Sequence, residues 1–206
     1  MKILYLSDFN CPYSYIGLNR MKNVCNELNL NVEWELKSFE LDFDNIPAIE
    51  RYPIDEIGDI EKTASNEGLT INLEKMPIND TRDAHRLVKY VQREYPEAAL
   101  ELVFKIFELN FSENEDITNH DVLKNAAVSC GLKKEEISEF LKKNSLDIEV
   151  YLDMDEAISY GITTIPYYFI EYDNERLIIP GVFEKEYLNT AFKDLLSKEM
   201  KDKTFI

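Results

Sequence analysis

The chain has 206 residues, 45% of them hydrophobic, which suffices for one good-sized domain or for a smaller one carrying an insertion. Acidic residues outnumber basic ones 40 to 23, giving a formal net charge of -17 with no basic patch to offset it. Nucleic acid and anionic membrane surfaces are therefore not expected as partners.

The first eight residues, Met1 to Asp8, form a short apolar stretch that meets an acid at once, without the long apolar core of a signal peptide. No later segment is apolar for long enough to span a bilayer. A cytoplasmic protein is expected, with its three cysteines reduced and any cysteine chemistry transient.

Residues 2 to 8 read as a first strand, rich in Ile, Leu and Tyr. A helix follows, with Pro12 suited to its first position and Ile16, Met21, Val24, Cys25 and Leu28 forming an apolar stripe that Asn29 can close. Val32, Trp34 and Leu36 alternate with Glu33, Glu35 and Lys37 in a second strand buried on one face, so the chain opens as β-α-β. From about Ile54 to Tyr151 helical patterns dominate, over 55–67, 80–94, 96–110, 119–130 and 134–143, and a further helix runs over 146–160. Asp80 or Thr81 can cap the second of these, Asn119 can cap the fourth, and Gly131 can end it in a left-handed conformation.

After Gly161, Ile165 to Ile170 reads as a strand starting at Pro166, and Leu177-Ile178-Ile179 as its hairpin partner across Asp173-Asn174. Residues 184–198 close the chain as an amphipathic helix. An α/β fold follows, with residues 1–50 and 151–206 as one sheet-bearing domain and 51–150 as an all-helical insertion.

Cys11-Pro12-Tyr13-Ser14 sits where a strand gives way to a helix. Unpaired N–H groups and the helix dipole stabilise an anion there, and a thiolate is such an anion. Cys11 is thus the candidate nucleophile with a lowered thiol pKa, against the plain alternative of a small semi-buried residue before a helix; Cys25 and Cys130 have no comparable setting. Tyr13, inside the motif, is expected to be exposed near Cys11 and to line a substrate groove. His85, beside Leu87 and Val88, reads more readily as a satisfied structural side chain than as a catalyst, and His120 as part of a helix start. With two separated histidines and no clustered Cys/His spacing, no metal site is expected, and no Gly-rich phosphate loop is present. Charge runs such as Lys133-Lys134-Glu135-Glu136 read as solvated helix surface.

The order of these motifs resembles a known family. Asp8 and Cys11 to Gly17, then Thr81 to Leu87, Asp116-Ile117, Asp121-Val122-Leu123, Gly161 to Ile170 and Pro180 to Phe183 are similar to the DsbA-like thioredoxin superfamily. The likeness is to its FrnE-type branch, related to 2-hydroxychromene-2-carboxylate isomerases and kappa-class glutathione transferases. It implies a thioredoxin fold with an inserted all-helical domain, and a Pro166 that is cis and faces Cys11. It also implies a substrate site of Pro12, Tyr13, Thr164, Ile165 and His85, in which the Ile165 backbone pairs with an extended substrate.

The departure is Ser14, because dithiol relatives carry there the second cysteine that resolves a mixed disulfide. Cys25, fourteen positions further on, would lie about 20 Å away along a continuous helix, beyond disulfide reach. The leading expectation is a monothiol thiol-disulfide oxidoreductase: Cys11 attacks, Ser14 tunes it, and glutathione or another outside thiol resolves the adduct, with no tightly bound cofactor. Its substrates would be disulfide-containing proteins or small thiols, and a homodimer is left open. The alternatives are a glutathione-dependent isomerase or transferase, whose active serine aligns with Cys11, and a non-catalytic peptide-binding module.

Overall fold

The computed structural model describes residues 1–41, 46, 48–77 and 79–197. β1 (Lys2–Ser7), α1 (Pro12–Glu27) and β2 (Glu33–Ser38) form the opening β-α-β unit. The chain then runs through α2 (Ala48–Arg51), α3 (Ile54–Asn66), α4 (Arg82–Glu94), α5 (Pro96–Glu108), a π-helical turn over Leu109–Glu113, α6 (His120–Ser129), α7 (Lys134–Leu141) and α8 (Asp147–Ser159). It returns to the sheet as β3 (Tyr167–Tyr172) and β4 (Glu175–Pro180), and closes with α9 (Lys185–Leu196). Strand order is β2-β1-β3-β4, with β1 parallel to β2 and antiparallel to β3. Asp173 and Asn174, both at positive φ, make the tight β3–β4 turn, as the hairpin reading required.

Side chains alternate across a strand, and the sheet uses both faces. Ile3, Tyr5, Leu36, Tyr168, Ile170, Leu177 and Ile179 share one face in register and are buried in the main core with α1 and with Leu188, Phe192 and Leu195 of α9. Leu4, Leu6, Tyr167 and Phe169 face the other way, against Ala157 and Met154 of α8 and Ile162. β2 is an edge strand whose outward amides would be orphaned without partners. Gln92 of α4 accepts from Leu36 N at 2.6 Å, and Asp153 of α8 accepts from Ser38 N at 2.9 Å. The helices between β2 and β3 are thus fastened to the sheet edge by side-chain acceptors for its free main-chain N–H groups as well as by packing.

Helix ends follow local chemistry. Asn119 caps α6 by accepting from Asp121 N, and Gly131 at φ 88 ends it. At α4 the capping side chain is Asp80, which accepts from Arg82 N at 2.8 Å, while Thr81 occupies the cap position without a side-chain bond. The helix expected over 96–110 changes to π geometry at Leu109, where a buried Asn110 takes the next core-facing position. Glu136, read as solvated surface, instead accepts from Tyr90 and Tyr95. Residue 198 lies outside the described residues.

α1 comes close to the sheet and its flanking loops at Gly17. A Cβ there would stand 2.7 Å from Tyr168 Oη, 3.1 Å from Pro166 Cγ and 3.3 Å from Val182 Cγ2. Gly58 in α3 has nothing within 4 Å of the same position. Gly17→Ala is therefore expected to cost about 1–3 kcal/mol by overpacking. Gly58→Ala is expected to stabilise by up to about 1 kcal/mol through helix propensity. Urea unfolding of the two variants checks the opposite signs.

Candidate active site

The turn leaving β1 delivers Cys11 to the N-cap of α1. Cys11 N donates to Asp8 O at 3.1 Å, Cys11 is extended at φ -99 and ψ 109, and Pro12 follows at the first helical position. The amide lost at Pro12 would have been an orphan in any case. Ser14 N donates to Cys11 O at 3.0 Å, closing the first turn. Cys11 is 4% exposed, and its Sγ lies 3.9 Å from Ile165 O, toward which the thiol donates.

The Ile165–Pro166 peptide is cis. Pro166 is buried, Ile165 half-buried against the second-face cluster, and Thr164 exposed. Pro166 O accepts from Gly181 N at 2.7 Å, which ties the loop to the end of β4. Structure thus brings together Cys11, Pro12, Ser14, Ile165 and Pro166.

Electrostatics overturns one expectation. Burial pushes the Cys11 thiol up to about 11, where the helix start alone suggested a lowered value. The Ser14 side chain, the Ser14 and Tyr13 amides act in the lowering direction, and buried Asp8 in the raising one. Desolvation is the largest of these, so the resting thiol is neutral. Ser14 is fully buried beside Cys11, and its hydroxyl has no hydrogen-bond partner. Burial also raises Cys25, to about 12, and raises Cys130.

Several neighbours carry no obvious sequence signal. Tyr5 Oη donates to Ser14 O at 2.8 Å and its ring stacks on Tyr168 at 5.0 Å. Burial raises both phenols, and the Tyr168 hydroxyl has no hydrogen-bond partner. Tyr13 is half-buried rather than exposed, because its hydroxyl donates to Glu56 of α3 at 2.8 Å. Tyr52, just beyond α2, also lies within electrostatic reach of the thiol. Tyr13 and Tyr52 both stand near the buried thiol.

His85 is buried under the turn, its Nε2 3.4 Å from Asp8 Oδ1 and its ring 4.9 Å from that of Phe9. Asp8, fully buried, also accepts from Asn10 N at 3.3 Å and Leu41 N at 2.7 Å. His85 thus braces the turn that carries Cys11 and makes no hydrogen bond to the thiol. His120 starts α6 and pairs with Asp83 at 2.6 Å. Among the described residues no group of three or more His, Cys, Asp or Glu could hold a metal ion, and no helix is long and apolar enough to cross a membrane. A cavity of about 630 Å³ lies on the second sheet face, lined by Leu4, Leu6, Tyr160, Phe169 and Ile178, and Cys11 is not part of it.

A family model, the DSBA-like thioredoxin domain, matches residues 2–193. The chain belongs to this family. Several solved structures share its fold along nearly the whole length. A probable DsbA oxidoreductase from Streptomyces coelicolor is 22% identical, with 100% of this chain and 94% of that one covered at a TM-score of 0.81. A 2-hydroxychromene-2-carboxylate isomerase is 17% identical, with 97% and 98% covered at 0.75. The cytosolic disulfide reductase DsbM of Pseudomonas aeruginosa, solved with GSH, is 13% identical, with 97% and 99% covered at 0.69. At these identities the likeness is one of fold. No curated protein matches in sequence.

Because the thiol is raised by burial, its alkylation by iodoacetamide is expected to climb about tenfold per pH unit from neutrality with no plateau below pH 10. Ser14→Ala, which removes a lowering contact, is expected to slow Cys11 further at each pH. Site-resolved mass spectrometry reads both, and a plateau below pH 8 would contradict the closed geometry.

Proposed function

We propose that this DsbA-like protein is a monothiol thiol-disulfide oxidoreductase with Cys11 as its nucleophile. The observation that carries the reading is the pairing of that thiol, at a helix N-terminus, with the Ile165 carbonyl ahead of Pro166, 3.9 Å away. The Cys11 thiolate attacks one sulfur of a substrate disulfide, a new S–S bond forms, and the other sulfur leaves as a thiolate that takes up a proton. An outside thiolate then attacks the substrate sulfur of the adduct and returns Cys11. With glutathione in both roles, a glutathionyl disulfide and one reduced glutathione become a free substrate thiol and oxidised glutathione.

Within this scheme each residue has a task. Ser14 Oγ, buried and uncommitted, donates to the thiolate as it forms. Thr164 and Ile165 offer an exposed and a half-buried stretch of backbone beside the thiol, along which an extended peptide or glutathione lies. Pro12 and Pro166 fix the two walls, and Tyr13 must give way from Glu56 for the substrate to reach sulfur. Residues 1–50 and 151–206 act as the domain that bears the thiol, and 51–150 as the inserted helical one. A reducing compartment rich in small thiols, the cytoplasm, is what this cycle requires. DsbM, the disulfide reductase solved with GSH, is a cytosolic relative in fold that supports glutathione as the outside thiol.

The isomerase reading would need the bound thiol of glutathione, not Cys11, to attack the substrate. It is disfavoured by the cysteine itself, which stands where that chemistry needs none.

Oxidised glutathione is expected to add one glutathionyl group to the wild type, at Cys11. Ser14→Cys would place a thiol one helical turn away, and is expected to expel that group by forming an intramolecular disulfide. Intact mass distinguishes the two. An adduct that persists in Ser14→Cys, or an adduct on Cys130 and none on Cys11, would overturn the reading.

A further inference from the structure

The turn from Phe9 to Cys11 is held from behind by three asparagines that the scheme above does not use. Asn110, the second residue of the π-helical turn, donates from Nδ2 to Phe9 O at 2.8 Å. Asn79 donates from Nδ2 to Asn110 Oδ1 at 2.5 Å, and its own carbonyl accepts from Asn10 Nδ2 at 2.9 Å. The three side chains are 4%, 6% and 0% exposed for Asn10, Asn79 and Asn110. The network fixes the amide orientations: Phe9 O and Asn79 O can only accept, so Asn110 and Asn10 must each turn an NH2 toward them, and Asn79 must then donate to Asn110 Oδ1.

The arrangement places polar side chains where apolar ones would pack more simply. Asn10 Oδ1 and Asn79 Oδ1 are both buried without a hydrogen-bond partner, a loss that an apolar side chain would avoid. The π turn forgoes regular α-helical bonding, and such turns recur where a helix must re-aim a side chain at a functional position. It is clasped on its far side by Ser112 Oγ, donating to Thr70 O, and by Asn72 N, donating to Phe111 O. Asn110 is thereby carried into the turn one residue pair ahead of Cys11.

We propose that Asn79 and Asn110 are positioning residues for Cys11, which hold the Phe9 carbonyl and the Asn10 side chain so that Cys11 sits at the N-cap of α1 with its thiol facing Ile165. This inference rests on the reading of Cys11 as the reactive thiol. Holding the Phe9 carbonyl sets the Phe9–Asn10 peptide plane, and the Cys11 N–H bond to Asp8 O sets the next one, which leads into residue 11. Those planes direct Sγ toward the Tyr13 and Ser14 amides, the groups that favour its anion. Released from the relay, the turn can rotate while α1 and β1 stay intact, and the thiol loses these donors without losing its burial.

The test is the pH profile of Cys11 alkylation by iodoacetamide, read site by site in the full chain for wild type, Asn110→Ala, Asn79→Ala and Ser112→Ala. Asn110→Ala is expected to slow Cys11 about tenfold at each pH below its plateau, one unit's worth of lost thiolate. Asn79→Ala, which leaves the bond to Phe9 in place but unsupported, is expected to act in the same direction by a smaller factor. It decides the matter alone if Asn110→Ala does not fold. Ser112→Ala loosens the same π turn from outside the relay and is expected to lower the urea midpoint without moving the profile. Profiles unchanged in both asparagine variants, or moved equally by Ser112→Ala, would overturn the positioning role. A wild type in which Cys11 reacts no faster than Cys130 in oxidised glutathione would instead overturn the reactive-thiol reading on which it rests.

Discussion

The site depends on the closeness with which α1 crosses the sheet. Only a residue without a side chain fits at position 17, where Tyr168, Pro166 and Val182 converge on the helix. That approach brings the first turn of α1 against the loop before β3, so that residues 154 positions apart in sequence, Cys11 and Ile165, come into contact. Tyr5, stacked on Tyr168 and bonded to Ser14 O, locks the same turn from the strand side. A glycine inside a helix is a conformational cost of about 1 kcal/mol relative to alanine, and here close packing offsets it.

The same packing sets a tension within the chemistry. A helix N-terminus favours a thiolate, but enclosure disfavours any charge, and in the resting site enclosure prevails. Reactivity is therefore conditional. The groups that would stabilise the anion, the Ser14 hydroxyl and the first amides of α1, are already placed, while the cover is a hydrogen bond from Tyr13 to Glu56 and the neighbouring Tyr52. A substrate that displaces the cover admits polar groups to the thiol, and the placed donors then act on it. In this account the helical residues between β2 and β3 do two jobs: Glu56 of α3 holds Tyr13 of the Cys11 motif, and Asn79 with Asn110 braces the turn that precedes Cys11.

Much of this was legible in the sequence because it is encoded locally. Strand alternation, the Cys11-Pro12 helix start, the Asn119 cap, the Gly131 stop and the Asp173-Asn174 turn each act within a few residues, and each appears where the pattern placed it. The family resemblance supplied the cis peptide at Pro166, which no local pattern encodes. What was not legible depends on partners far along the chain. Asn110 falls on the core face that Leu102, Val103, Ile106 and Phe107 set, and its long-range partners Phe9 and Asn79 are what make a buried polar residue and π geometry possible there. Glu136 looks like any solvated acid until Tyr90 and Tyr95 reach it from α4 and the residue after it. The Cys11 thiol looks activated until the tertiary fold buries it. Gly17 was the one legible clue passed over, since a glycine in mid-helix asks what approaches it.

The most direct test of the central claim is steady-state reduction of a glutathionylated peptide by reduced glutathione, comparing wild type with Cys11→Ser and with the double variant Cys25→Ala and Cys130→Ser. The account predicts turnover in the wild type and in the double variant, and none above the uncatalysed rate in Cys11→Ser. Turnover that survives in Cys11→Ser, or that disappears when only the other two cysteines are replaced in a folded protein, would contradict it.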